Sequence, residues 1–387
     1  MFREMKISIF TLSSALHDKA STERIAFEFL SKKKKKSGIR FNHCGSDFST
    51  YGSSDLDLIY VVTGGTEALF QEVFPSLKGN IRILTSGKSN SLAASMEILS
   101  YLNENGGRGE IIHGDIEYIV RRINLLAKVE KGLKALNGAK LGVIGEPSDW
   151  LISSMPDEEA LKSKLGIELV HIPVSELVGK LQGISSEPME GAQEIYLALK
   201  ELVTKHSLYG LTIRCFDLLD KIHNTACLAL AKLNGEGIPA GCEGDVPTLV
   251  TMAVGNALTG KSGFQANPSR INPATSEFLF AHCTVPLNML ESYTYDTHFE
   301  SGIGVAIRGV LPLGNATIFK MSRDLSRSFV GRAQLVQNLS EPNLCRTQIL
   351  LKGDGYAEYF LTEPLGNHHV VFVGDHQELF KAFVKAI

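Results

Sequence analysis

The chain has 387 residues, 44% of them hydrophobic and 21% charged, with a formal net charge of −3. That length exceeds what one small core organises and calls for two or three domains, and the balance is that of an ordinary globular protein. The near-neutral charge excludes a global basic field able to hold nucleic acid or an anionic membrane, and no apolar run reaches the roughly 18 residues of a membrane-spanning helix.

The first third alternates short apolar runs with helix-like stretches. Strands are expected at Lys6–Phe10, Leu56–Val62 and Ile81–Leu84, and helices at Thr22–Lys32, Ser91–Asn103 and Asp115–Leu136. Strand, small-residue loop, helix is the βαβ pattern of a parallel sheet covered by helices. The basic run Lys32–Lys36 reads as a solvated helix end. A second α/β unit follows. Strands are expected at Lys140–Ile144, Gly166–Ile172 and Gly210–Cys215, and helices at Glu190–Lys205, Leu218–Leu233 and Val246–Leu258. In the first unit the strand-end loops Gly64-Gly65-Thr66 and Ser86-Gly87-Lys88-Ser89 match neither a Walker A loop nor GxGxxG, so a nucleotide cofactor is not indicated.

From about Gly263 the texture becomes alternating: Glu277–His282, Ile303–Val310, Ala316–Met321, Gln334–Leu339, Thr347–Leu351, Tyr356–Leu361 and His368–Val373. Such alternation between turn residues predicts a mainly antiparallel β domain. The expected fold is therefore two doubly wound α/β domains with parallel sheets, over 1–137 and 138–262. A mainly antiparallel β domain over 263–387 completes it. The six cysteines are scattered without a CxxC, and the start MFREMKISIFTLSS lacks a secretory pattern. Both features predict reduced thiols in a cytoplasmic protein.

Five segments rich in functional side chains sit at expected element ends: Gly241–Asp245, Gln265–Arg270, Ala281–Thr284, Asp296–Gly302 and Gly366–His369. Each alone is weak. Asp245 could equally cap the helix that follows. His282 ends an apolar strand, where a satisfied core histidine is the more common outcome. His368 and His369 straddle a strand start, so their rings point to opposite faces and at most one serves a given site. Together, however, Glu243, His282 and His369 offer the carboxylate and imidazole donors that a hard divalent cation such as Mn²⁺ takes. Arg270 and Arg308 fit either a grip on substrate oxygens or domain-interface ion pairs. Trp150, the single tryptophan, suits either a sugar ring face or an interface.

The stretches CEGDVPTLVTMAVGNALTG, ANPSRINPATSEFLFAHCTVP, THFESGIGVAIRG, EPNLCRTQ and GNHHVVF resemble the L-fucose isomerase and L-arabinose isomerase family. They resemble its shorter, fucose-isomerase-like members still more. The likeness covers most of the chain and is strongest from Thr212 onward. It implies two α/β domains followed by a β domain, and a metal-dependent aldose–ketose isomerase using Mn²⁺ or another divalent cation. The substrate would be an unphosphorylated sugar or sugar derivative, interconverted through an enediol. It further implies a homo-oligomer, trimer or hexamer, with sites near subunit interfaces.

By that resemblance Glu243 binds metal and moves protons, and His282 and His369 are ligands. Asn267 stands where the family carries a second metal-binding, proton-transferring carboxylate. Trp150, Asp245, Arg270, His298, Glu300, Arg308 and His368 form the expected substrate-contacting set. The amide of Asn267 can ligate through oxygen but cannot exchange a proton near neutral pH. Asp245, Asp296 or Glu300 then supplies the second group, or Glu243 acts alone through bound water, or the chemistry differs. A sugar-binding relative with an eroded acid/base pair is the alternative.

Overall fold

A computed structural model of the chain describes residues 6–14, 18, 24, 28, 29, 31 and 41–387. Most of the expected helix over Thr22–Lys32, and the basic run after it, lie outside the described residues. The chain divides into two compact units, Met1–Lys131 with Ala386, and Gly132–Lys385 with Ile387.

The first unit carries β1 (Ile7–Leu12), β2 (Phe41–Gly45), β3 (Leu56–Val61), α1 (Glu67–Val73), β4 (Asn80–Thr85), α2 (Ser91–Glu104) and β5 (Arg108–Ile112). Helix α3 (Ile116–Leu136) follows and runs past the division between the units. The five strands pair in parallel in the order β2-β1-β3-β4-β5. Near-continuous apolar runs such as Leu58–Val61 suit strands buried on both faces.

The second unit opens with β6 (Lys140–Ile144), α4 (Glu158–Leu165), β7 (Glu168–Ile172), α5 (Val174–Lys180), α6 (Pro188–His206) and β8 (Gly210–Ile213). It continues with α7 (Phe216–Ile222), α8 (Cys227–Gly235), β9 (Ala240–Cys242) and α9 (Val246–Thr259). Its sheet, β7-β6-β8-β9, is again all parallel. The order reverses between β6 and β8, and such a switch point opens a crevice beyond the carboxyl ends of the strands. The single helix expected over Leu218–Leu233 is two helices. His223 takes a left-handed conformation (φ 51°) that ends α7, and Asn224 Oδ1 then accepts the Thr225 N–H. Apolar periodicity on both sides concealed this break.

Then come β10 (Phe264–Asn272), β11 (Glu277–His282), β12 (Ser292–Asp296), β13 (Ala306–Val310), β14 (Gly314–Met321), β15 (Ser328–Leu339) and β16 (Thr347–Gly353). Helix α10 (Ala357–Thr362), strand β17 (His369–Val373) and helix α11 (Gln377–Ala386) complete the chain. Six strands close an antiparallel barrel, β10-β11-β16-β15-β14-β17, while β12 and β13 form a separate ribbon. Phe264, Phe278, Phe280, Ile318, Ile349, Leu351 and Val371 belong to the core of this region.

The strand expected at Tyr356–Leu361 is instead α10. Tyr356, Tyr359 and Phe360 recur at helical spacing and pack on Phe278 and Phe329, a period nearer 3.6 than 2. The buried helix α9 packs on β8, β9, β14 and β17, joining the second sheet to the barrel. A Cβ at its Gly255 would lie 2.0 Å from the ring of Phe372, so only glycine admits this approach.

Candidate functional site

Strand β9 is three residues long, and its end is fixed from the barrel. Gln265 on β10 accepts from the Cys242 N–H at 2.8 Å and donates to the Cys242 carbonyl at 3.2 Å. The chain then turns through Glu243 and Gly244, both left-handed (φ 64° and 69°). Gly244 is pressed against Glu146 and Pro147, where a Cβ would come within 2.8 Å of the Pro147 Cα. A non-glycine residue in this region is held there by its surroundings. Here Ser148 N–H donates to the Glu243 carbonyl and Gly244 N–H to the Ile213 carbonyl. The Glu243 side chain thereby sits beyond the carboxyl edge of the second sheet.

Two histidines meet it. His282, the last residue of β11, places Nε2 3.7 Å from Glu243 Oε1, with its Nδ1 2.9 Å from the Thr284 hydroxyl. His368, just before β17, places Nε2 3.4 Å from the same oxygen. The three donor atoms lie within 4.8 Å of one another. His368 Nε2 is buried without a well-formed hydrogen bond, an arrangement that asks for a partner. A carboxylate oxygen and two imidazole nitrogens converging this closely fit a borderline or hard divalent cation. Burial works against ionisation of Glu243, but its contacts with the two imidazoles outweigh that and hold its carboxyl well below the usual range.

Behind His368 lies Asp245, fully buried. Its Oδ1 accepts from Thr248 N–H at 2.9 Å, capping α9, and its Oδ2 lies 2.8 Å from His368 Nδ1. Capping and site support are thus the same residue's work, and no face of Asp245 is left for a substrate. Burial disfavours charge on His368, yet its contacts with Asp245 and Glu243 win and push its pKa up to about 9.

The expectation for His369 is corrected by the strand's alternation. His369 points to the opposite face, among Phe329, Tyr359 and Phe360. Its Nε2 lies 2.8 Å from the Tyr359 hydroxyl and its Nδ1 3.0 Å from the Asn367 carbonyl. Burial, chiefly, pushes its pKa down to about 3. With both nitrogens engaged away from Glu243, the imidazole that joins the cluster is His368.

The rim is aromatic. Trp150, 51% exposed, donates its indole N–H to Glu243 Oε2 at 2.7 Å. Its ring meets Phe216 edge-on at 4.9 Å, and Phe216 meets His298 at 5.5 Å. Phe216 escaped the sequence reading because nothing separates it from a core aromatic; its place two residues after Arg214, just beyond the carboxyl end of β8, was the available signal. His298 is buried, bonded to Ser301 Oγ at 3.0 Å, and its pKa is lowered first by that burial. Asn267 pairs with Ala281 across β10 and β11, and its Oδ1 accepts from Asn367 at 2.7 Å. It therefore neighbours the strand ends that carry His282 and His368.

Arg270 and Arg308 are taken up elsewhere. The exposed Arg270 forms a two-point pair with Glu341 at 2.7 and 2.9 Å. A register shift beside Pro268 precedes it on β10. Arg308 binds Asp296 at 2.7 Å and Ser340 at 2.7 Å. Asp296 is also 3.5 Å from Arg346, so it too is engaged. Glu300 is exposed, its charge acting on His298. Cys242 and Cys283, beside Glu243 and His282, are buried.

No protein-family model matches the chain. It is similar to sulfoquinovose isomerases: 25% identical over 279 residues to those of Priestia aryabhattai and Priestia megaterium, covering 64% of this chain. A third, from a Clostridium species, is 23% identical over 242 residues, covering 55% of this chain. The matched region spans about 61% of the length of the two Priestia relatives and 54% of the Clostridium one. These relatives are named for a sugar isomerase, and not for the fucose or arabinose enzymes.

Proposed function

We propose that this chain is a divalent-metal-dependent aldose–ketose isomerase of an unphosphorylated sugar, with sulfoquinovose, the substrate named for its relatives, as the first candidate. The observation that carries the reading is the convergence of Glu243, His282 and His368 at the carboxyl edge of the second sheet. Glu243 Oε1, His282 Nε2 and His368 Nε2 would hold the cation. Mn²⁺ is the proposed ion, and when bound it would supply Lewis-acid stabilisation of negative charge on two adjacent substrate oxygens.

The chain's own residues divide the remaining work. Glu243 presents Oε1 to the histidines and Oε2 to Trp150, so one oxygen can ligate while the other takes a proton from C2 and returns it to C1. The Trp150 indole N–H fixes that second oxygen, and a bound sugar would rest against the Trp150–Phe216–His298 rim. The second proton-transfer group, for oxygen-to-oxygen transfer, is assigned to Glu300. Asp245 is committed to His368 and Asp296 to arginine, whereas the Glu300 carboxylate makes no ion pair among the described residues. Asn267 would orient a substrate hydroxyl through its amide.

The test is solvent deuterium uptake at C2 of sulfoquinovose and a panel of neutral aldoses, with Mn²⁺ present. Uptake by the wild type, and its loss in Glu243→Gln, is the expected result. A fully active Glu243→Gln variant contradicts it. A second reading, a sugar-binding relative, draws on Asn267 in the place of a second carboxylate. Thermal stabilisation by the sugar without deuterium uptake would select it.

A further inference from the structure

Beneath the cluster lies a buried cation that the proposed reaction does not use. Lys320, on β14, has a side chain only 1% exposed. Its Nζ donates to Thr248 Oγ1 at 2.5 Å and stands 3.7 Å from Asp245 Oδ2. Burying an ammonium and a carboxylate costs several kcal/mol for each ion, and a methionine of similar length would fill the same space without that cost. The pair occupies a defined place. Asp245 Oδ1 is fixed by the first turn of α9, and its Oδ2 is shared between Lys320 and His368 Nδ1.

We propose that Lys320 is a positioning residue for the cation site: it pins Asp245 as the acceptor for His368 Nδ1, and so keeps His368 Nε2 directed at Glu243. The inference rests on the reading of Glu243, His282 and His368 as a cation site. Two effects of opposite sign compete. The ammonium repels a bound cation directly, but the Asp245 carboxylate lies against it and offsets much of its field. Removing it leaves a buried carboxylate with the imidazole as its only cationic neighbour among the described residues, which draws His368 toward Asp245 and away from the cluster. The second effect dominates. Partners that orient a metal-binding histidine are typically worth about 10–100-fold in metal affinity.

The test is Mn²⁺ titration of the folded full chain, followed by the paramagnetic resonance of free Mn²⁺, with melting temperature measured separately without metal. Lys320→Met is expected to bind Mn²⁺ about 10–100-fold more weakly than wild type. Because this variant leaves a buried carboxylate with one ion-pair partner fewer, the double variant Asp245→Asn/Lys320→Met is made as well. It is expected to melt near the wild type while Mn²⁺ binding stays weak. Wild-type or tighter binding by Lys320→Met overturns the inference, as does a double variant that recovers melting and affinity together. A wild-type protein that takes up no Mn²⁺ removes the cation reading and this inference with it.

Discussion

Two regions lie back to back at the start of β17, and adjacent histidines belong to them. On one side His368 meets two carboxylates, keeps Nε2 buried 3.4 Å from Glu243 Oε1 without a well-formed hydrogen bond, and has its pKa pushed up to about 9. On the other, His369 is ringed by Phe329, Tyr359 and Phe360, has both nitrogens bonded, and has its pKa pushed down to about 3. Residue type is the same and burial is nearly the same. What differs is the charge and the hydrogen-bonding capacity of the neighbours, which alternation along the strand assigns to opposite faces. One face gathers carboxylates around its imidazole, and the other closes its imidazole in with aromatic rings and neutral hydrogen-bond partners.

The largest effect should come from the polar face. Glu243→Gln is expected to lower turnover by about 10²–10⁴-fold, the usual worth of a positioned acid/base, in a variant that still folds. Steady-state kinetics on the sugar that exchanges deuterium checks it. On the aromatic face, His369→Gln should cost about 1–3 kcal/mol of stability, because it disturbs buried hydrogen bonds to Tyr359 and the Asn367 carbonyl. Urea unfolding measures this, and no loss of stability would mean that the His369 pocket carries no such constraint.

Titration sharpens the contrast, with opposite signs on the two faces. In metal-free protein the His368 contribution is fully present below its unfolded value of 6.5 and is lost as pH rises through about 9. The His369 contribution is present above 6.5 and is lost as pH falls toward about 3. Melting temperature against pH should therefore lose its alkaline slope in His368→Gln and part of its acid slope in His369→Gln. The smallest effect concerns the rim. Trp150→Phe keeps an aromatic ring beside Phe216 but loses the N–H to Glu243. Turnover should fall about fivefold to tenfold, the worth of one hydrogen bond, without a change in melting temperature.

The fold was legible where the chain repeats simple periods. Apolar runs gave the strands β3, β4 and β6 within a residue or two, and alternation marked the antiparallel domain. Glu243 and His282 could be singled out because both sit at element ends, and the fold brings them together. The choice between His368 and His369 was not. Alternation says that they oppose one another, but not which face meets Glu243, since that depends on how the barrel closes against α9. Short edge pieces such as β2 and β9, and the ribbon strand β12, were missed because they are stabilised by pairing and by side chains such as Gln265, not by their own pattern. Lys320 was hidden for a related reason. A lysine at the end of an alternating strand reads as solvent-facing until α9 is placed over it.

Mn²⁺ titration of His368→Gln beside His369→Gln, at neutral pH and followed by the resonance of free Mn²⁺, tests the central arrangement most directly. A loss of at least about tenfold in affinity for His368→Gln, with wild-type affinity in the folded His369→Gln variant, is the predicted result. The reverse ranking, or equal affinity in both, would contradict the placement of His368 in the site.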